Sequence, residues 1–375
     1  MKIVIDARSA NLNVGIGRLS YNLIKEILKN DRENSYIILT DSEDPFPKIK
    51  YDNIKKISIQ NAREKSIYWQ MIYLPYILRK EKADIFFTTD NLTVPLFFKG
   101  KTIATIQDLI PIVFSEYTKN KFKSLKYKSK INLLKMKNPE KIMTISNFSK
   151  KEIQNVLNIS ENKIFLIKES IDTRLKHVKS DHDILSNFEI NYPYILGIGG
   201  MEVRKNNKNL IEAYIKMIQN HPDIKHNLII VGNKESNILP STKIDIPSSM
   251  EERIHFIGSL TNKELSVIYE NAEMLVYPSL YEGFGLPPLE AMKHKIPVIT
   301  SNITSIPEVV KNAAILINPN KKTEIENAML KILKDQTIKD KLIKRGENIL
   351  KEYTWEDSAK KVIEEFNKLK DTINK

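Results

Sequence analysis

Short apolar runs rich in isoleucine recur along the 375-residue chain, at 3–6, 36–39, 85–88, 103–106 and 142–145 in the first half. The second half repeats the scheme at 194–198, 228–231, 254–257, 274–277, 298–300 and 315–317. Runs of this length with little polar alternation read as strands buried on both faces. Helical stretches such as 19–28 and 67–78 separate them. Alternating strands and helices predict a parallel sheet covered on both sides, and here they do so twice, giving an α/β fold of two doubly wound, Rossmann-like units. The expected boundaries are 1–180 and 190–354, with the polar stretch 176–182 as the linker. No fixed-period repeat and no low-complexity tract interrupts this organisation.

Composition agrees with two cores: 375 residues exceed what one core usually supports, and 41% are hydrophobic. No apolar run approaches the roughly 18 residues needed to span a bilayer, and the stretch 72–78 is broken by Pro75. The chain opens on a strand pattern without the apolar core of a signal peptide, so a cytoplasmic location is expected. With no cysteine, thiolate catalysis, disulfides and Cys-ligated metals are excluded.

The net charge of +13 is unevenly placed. Lys and Arg outnumber Asp and Glu by 33 to 19 in residues 1–180, whereas residues 181–375 hold 26 against 27. The densest stretch runs from Lys119 to Lys137, with eight lysines and no acid. Leu125, Ile131, Leu133 and Leu134 give it a partial apolar face, which predicts a basic helix. Such a helix suits an anionic membrane surface, peripheral to the inner leaflet. It suits nucleic acid less, because interleaved aromatics and a recognisable binding module are missing. A plain solvated helix is the remaining alternative.

The most informative chemistry lies at 281–292, where Glu282 and Glu290 flank a turn containing Gly283 and Gly285. The apolar run 274–277 ends at Pro278, as a buried strand entering a loop does. A helical pattern resumes at Leu289, which puts Glu290 in a first turn and Glu282 in the loop before it. Glycines let the backbone approach a ligand, and a helix start favours anionic oxygens. Carboxylates beside such a site serve as acceptors for hydroxyls, so the implied ligand carries both phosphate and polyol, as a nucleotide sugar does. A second candidate follows the run 194–198: Gly199 and Gly200, then Arg204 and Lys205 ahead of a helix at 210–218. Fixed positive charge at the end of a strand is what a departing diphosphate requires.

The string from Pro278 to Leu286, with Glu282 and Glu290 eight residues apart, resembles the signature of the retaining glycosyltransferases of family 4. Further strings fall in family order: Ile5-Asp6-Ala7-Arg8, Thr105-Ile106-Gln107-Asp108, Ile145-Ser146-Asn147-Phe148-Ser149, His255-Phe256-Ile257-Gly258 and Ser305-Ile306-Pro307-Glu308. Arg204-Lys205-Asn206 resembles the diphosphate motif of mannosyltransferase-like members. The resemblance implies the GT-B architecture, in which two Rossmann-like domains face each other across a cleft and a final helix (355–375) returns to the first. It implies that the domain at 1–180 binds the acceptor and that at 190–354 the nucleotide sugar, without a metal or other cofactor. Glu282 and the backbone of Gly283, Phe284, Gly285 and Leu286 would hold the sugar, Glu290 the ribose, and Arg204 and Lys205 the leaving diphosphate. Gly15 and Gly17, read as a glycine loop ahead of a helix from Leu19, would approach the donor or acceptor.

One position departs from the family. Gln107 stands where most relatives carry a histidine, and glutamine cannot carry a proton. Asp108 beside it would orient the acceptor hydroxyl or cap the following turn. The expected activity is hexosyl transfer, with GDP-mannose as leading donor ahead of UDP-sugars and dTDP-rhamnose, to a lipid-linked or oligosaccharide acceptor of surface polysaccharide synthesis. The alternative is a catalytically weak or non-catalytic nucleotide-sugar-binding protein.

Overall fold

A computed structural model describes residues 1–12, 14–41, 43–59, 68–114, 121–175, 182–234 and 244–373, the side chains of 121–124, 182 and 373 excepted. Lys119 and most of the 176–182 linker lie outside them. The chain divides into two compact units, Met1–Asp172 with Thr354–Lys375, and Thr173–Tyr353.

The first unit is built on a seven-stranded parallel sheet. Its strands are β1 (Lys2–Asp6), β2 (Ser35–Thr40), β3 (Ile54–Ser58), β4 (Ile85–Asn91), β5 (Lys101–Thr105), β6 (Lys141–Thr144) and β7 (Ile164–Leu166), in the order β3-β2-β1-β4-β5-β6-β7. The second unit carries six parallel strands: β8 (Tyr194–Ile198), β9 (Asn227–Val231), β10 (Ile254–Phe256), β11 (Met274–Tyr277), β12 (Val298–Ser301) and β13 (Ile315–Ile317), ordered β10-β9-β8-β11-β12-β13. Both are doubly wound orders that reverse direction beside the first strand of the unit. The carboxyl ends of strands at such a reversal are where open α/β sheets take ligands. The central strands owe their place to sequence: β9 and β11 are buried along their whole length, which is why they read as unbroken apolar runs.

Two strands escape the apolar-run criterion. β3 reads Ile-Lys-Lys-Ile-Ser and is half-exposed at the sheet edge, and β7 has only three residues. The helices show three further differences. The first begins at Gly15 rather than Leu19 and runs Gly15–Asn30, so Gly15 and Gly17 lie in its first turn and form no loop. A Cβ on Gly17 would sit 2.0 Å from the Leu12 carbonyl oxygen, so this glycine admits the chain's own backbone. The helix Leu286–Lys293 begins three residues earlier than the apolar pattern, because Pro287 and Pro288 fill its first turn, where a missing N–H costs nothing. Glu290 therefore sits in the second turn. In the basic helix Lys121–Lys137, Ile131, Leu133 and Leu134 are buried but Leu125 points to solvent.

The last helix, Trp355–Ile373, belongs to the first unit. Ala359, Val362 and Phe366 are fully buried, and Phe366 meets Phe87 of β4 edge-on at 5.5 Å. Trp355 Nε1 and Ser358 Oγ donate to the carbonyls of Ile171 and Lys168. Among the described residues no helix is long and apolar enough to cross a membrane.

Candidate active site

In the second unit β8 and β11 are neighbours, so the loops leaving their carboxyl ends meet. The loop after β8 turns at Gly199 and Gly200, both at positive φ (106° and 55°). A Cβ at Gly199 would fall 2.3 Å from Lys205 Cγ, and one at Gly200 would strike the Asn233 backbone at 2.5 Å. These two glycines thus make room for the Lys205 stem and for the loop after β9. Asn206, left-handed at φ 56°, ends the turn. Its amide donates to the carbonyls of Pro278 (3.1 Å) and Pro319 (2.7 Å), and Asn207 ties back to Gly200 O at 2.7 Å. The helix Asn207–Asn220 follows. The asparagines after Arg204 and Lys205 are therefore splints that hold the two cations in place.

Those cations converge on Glu282. Its Oε1 lies 2.7 Å from Arg204 Nη1 and 2.9 Å from Lys205 Nζ, and accepts hydrogen bonds from Tyr277 OH at 2.5 Å and Ser279 Oγ at 2.7 Å. Four donors crowd one oxygen, and among the described residues Oε2 takes none. Lys205 Nζ also bonds to Tyr277 OH. Arg204 continues to Tyr281 O at 3.2 Å and to Glu202, 3.3 Å away at the rim. Burial pushes the Glu282 carboxyl up, but Arg204 and Lys205 outweigh it and hold the group down at about 2. Burial draws the Lys205 ammonium below an ordinary lysine against the pull of Glu282, and burial followed by the Glu282 charge drives the Tyr277 phenol well up. Glu282 is thus a fixed anion near neutral pH.

The rest of the turn is anchored from the 301–305 segment. Ser305 Oγ bonds to the carbonyls of Glu282 and Phe284, and a Cβ at Gly285 (φ 100°) would lie 2.4 Å from Ile306 Cδ1. Phe284 and Leu286 are buried, Phe284 edge-on to Tyr353 at 5.7 Å. Glu290 is 1% exposed and accepts from Tyr269 OH at 3.0 Å. Tyr269 in turn stacks on His294 at 5.4 Å.

Gly15, Gly17, Gln107 and Asp108 belong to the first unit, and the cluster around Glu282 belongs to the second. Asp108 Oδ1 accepts the Ile110 N–H at 3.2 Å, a turn-capping bond, and its carbonyl accepts from Tyr127 OH. Gln107 Nε2 is buried and has no hydrogen-bond partner among the described residues.

Sequence reasoning missed Tyr277, Ser279 and Tyr269, whose hydroxyls give no pattern of their own because each sits in an apolar run or beside a proline. It also missed Glu169, 4% exposed, just past the end of β7. The usable signal was an acid closing the apolar run 164–167, at the carboxyl end of a strand. Burial, reinforced by Asp108 and only partly offset by Arg18, raises its carboxyl to about 8. A raised acid binds its proton in the folded state while the unfolded chain has lost it, so stability falls as pH climbs from about 4.5 to 8. Glu169→Gln should therefore raise the thermal midpoint at pH 9 and leave it unchanged at pH 4. An equal shift at both pH values would show that ionisation of Glu169 is not the cause.

Comparison with known proteins finds similarity to a family over most of the second unit. Residues 180–349 match the family described as Glycosyl transferases group 1. The chain is 32% identical over 233 residues to O-antigen chain mannosyltransferase B of Escherichia coli, covering 61% of this chain and 60% of that protein. It is 28% identical over 298 residues to O-antigen chain mannosyltransferase RfbU of Salmonella typhimurium, covering 77% and 78%. Sucrose-phosphate synthase from Thermosynechococcus elongatus shares the fold, with a TM-score of 0.73 at 18% identity over 99% of this chain and all of that one. The second unit is thus similar to the glycosyl transferases group 1 family, and the two parallel α/β sheets share the fold of the structural neighbour.

Proposed function

We propose that the protein transfers a hexose, mannose first, from a nucleoside-diphosphate sugar to a lipid-linked or oligosaccharide acceptor in surface polysaccharide synthesis. The observation that carries the reading is the Glu282 carboxylate, pinned through Oε1 while Oε2 accepts no hydrogen bond among the described residues. A carboxylate held ionised, with one oxygen unengaged beside two cations, suits a ligand that presents a sugar hydroxyl next to a phosphate. The names of the relatives, O-antigen mannosyltransferases, favour mannose and hence GDP-mannose.

In this reading Glu282 Oε2 accepts a hydroxyl of the donor sugar, and the amides of Gly283–Leu286 approach it from the helix start. Glu290, set by Tyr269, fixes the ribose. Arg204 and Lys205 stabilise the diphosphate as the bond from the anomeric carbon to the phosphate oxygen breaks. The acceptor oxygen forms its bond to that carbon from the same face and gives its proton to the departing phosphate, so Gln107 need carry none. In the first unit, the helix opened by Gly15 and Gly17 approaches the donor or acceptor, and Asp108 orients the acceptor. The basic helix, with Lys126 and Lys128 exposed, keeps the enzyme at an anionic membrane surface.

Thermal-shift measurements with UDP, GDP and dTDP test the donor, because a ligand at 100 times its Kd adds about 2.7 kcal/mol to stability. GDP should give the largest shift, and Glu290→Ala should abolish it while the unliganded protein still melts cooperatively. A full GDP shift in the variant would remove Glu290 from the nucleotide site. The second reading, a nucleotide-sugar sensor, is favoured by Gln107 alone. Product formation from GDP-mannose and a lipid-linked acceptor separates the two.

A further inference from the structure

The segment 68–78 is apolar on every side but for the buried Gln70, yet it lies on the surface. Trp69, Leu74 and Leu78 pack into the first unit's core, whereas Tyr68, Ile72, Tyr73 and Tyr76 on the opposite face are 51 to 60% exposed. A surface helix normally turns polar residues outward, and one that is hydrophobic on every side is normally covered. The π-helical turn Trp69–Tyr73, running on into the helix Leu74–Lys80, lines the four up on one side. Phe97, 60% exposed, joins them with Arg79 around a single groove.

This groove is continuous with the basic helix. Gln70 binds the loop that carries Phe97, accepting from Val94 N at its side chain (3.0 Å) and from Leu96 N at its carbonyl (3.2 Å). Lys137 donates to Phe98 O at 2.7 Å and lies over the Phe98 ring. The three segments that frame the surface, 68–80, 92–101 and 121–137, contain no Asp or Glu and carry two, two and seven Lys or Arg. The next acid along, Glu81, is paired with Lys55 at 2.8 Å. Glu140 pairs with Lys101 at 3.9 Å at one end, and the rest of the rim is cationic. A tyrosine-rich apolar floor with a predominantly cationic rim matches a bilayer interface, where rings enter the acyl boundary, hydroxyls stay among headgroups and basic residues meet phosphates.

We propose that Tyr68, Ile72, Tyr73, Tyr76 and Phe97 insert into an anionic lipid bilayer, with Arg79, Lys99 and the basic helix engaging its phosphates. The attachment differs from charge attraction alone: it has an apolar component that salt does not screen. It holds whichever sugar the protein moves, and whether or not it moves one.

The test uses the full chain with vesicles of phosphatidylcholine and phosphatidylglycerol. Wild type should sediment with them and stay partly bound at high salt. Tyr73→Ser with Tyr76→Ser should weaken partitioning by about tenfold or more and abolish the salt-resistant fraction, because two rings leave the interface. Both residues are exposed, so the fold should survive, as circular dichroism can check. In a second arm, Tyr76→Trp should show a blue-shifted emission component quenched by brominated lipid, beyond any change in wild type. Equal partitioning of wild type and the serine variant, or an unquenched tryptophan at 76, overturns the proposal. So does a serine variant that loses only self-association, which would make the groove a contact between two copies. Turnover on a soluble acceptor is read separately: an inactive protein that still inserts keeps this inference and sinks the enzymatic one.

Discussion

Glu282→Ala is expected to lower turnover by roughly 100-fold or more, with the nucleoside diphosphate still bound. Its Oε2 is the oxygen assigned to the sugar, and the phosphates are assigned to Arg204 and Lys205. Removing the carboxylate frees both cations, so affinity for the diphosphate should hold or rise. The protein should also lose stability, because Arg204, Lys205, Tyr277 OH and Ser279 Oγ all lose one acceptor. Breaking a buried pair by deleting one partner costs about 3–5 kcal/mol. Glu282→Gln separates the effects, since it retains hydrogen bonding without the charge. The folded carboxyl titrates at about 2, below its usual value near 4.5, so its contribution is complete above about pH 4.5 and is lost as pH falls toward 2. Acid unfolding of Glu282→Gln should lack that component. Calorimetry showing equal loss of nucleotide affinity in Glu282→Ala and Glu290→Ala would count against giving the two carboxylates different ligands.

The architecture was legible because parallel strands buried on both faces write themselves as unbroken apolar runs. Strands without that environment did not. β3 sits at an edge with lysines facing water, and β7 has too few residues to form a run. Helix starts were displaced wherever glycine or proline opened the helix, at Gly15 and at Pro287. Both residues are usually taken as loop signals, yet proline suits a first turn and Gly17 is required there by close backbone approach. Leu125 shows the reverse error: an apolar residue in helical spacing that the fold leaves in solvent.

At the site, Arg204, Lys205 and Glu282 could be singled out because each lies near glycine in a loop that leaves the end of a strand. Their partnership could not. Nothing in the chain between Lys205 and Glu282, 77 positions apart, says that Arg204 and Lys205 meet that carboxylate; the adjacency of β8 and β11 does that. Tyr277 looked like the last apolar residue of a strand, and only the fold turns its hydroxyl onto the carboxylate. The exposed face of 68–80 was visible as an apolar stretch but not as a surface, since composition alone cannot distinguish a buried helix from one that awaits a cover.

Replacing Arg204 and Lys205 together by glutamine should reduce turnover and nucleoside diphosphate affinity in parallel, while a nucleoside lacking phosphates binds as before. The geometry adds a complication that the experiment must resolve. The two cations already neutralise Glu282, so the double variant strands a buried carboxylate and should lose about 3–5 kcal/mol of stability on that account alone. Adding Glu282→Gln removes the stranded charge, and the triple variant should recover most of the stability. Affinity for the diphosphate should not return, because its counter-charges are still missing. Residues in one charged network couple by about 0.5–3 kcal/mol, so the full cycle of variants should be strongly non-additive in stability and nearly additive in diphosphate binding. If the triple variant regains diphosphate affinity, the role of Arg204 and Lys205 is to hold Glu282 in place, and the charge that receives the leaving group must be sought elsewhere.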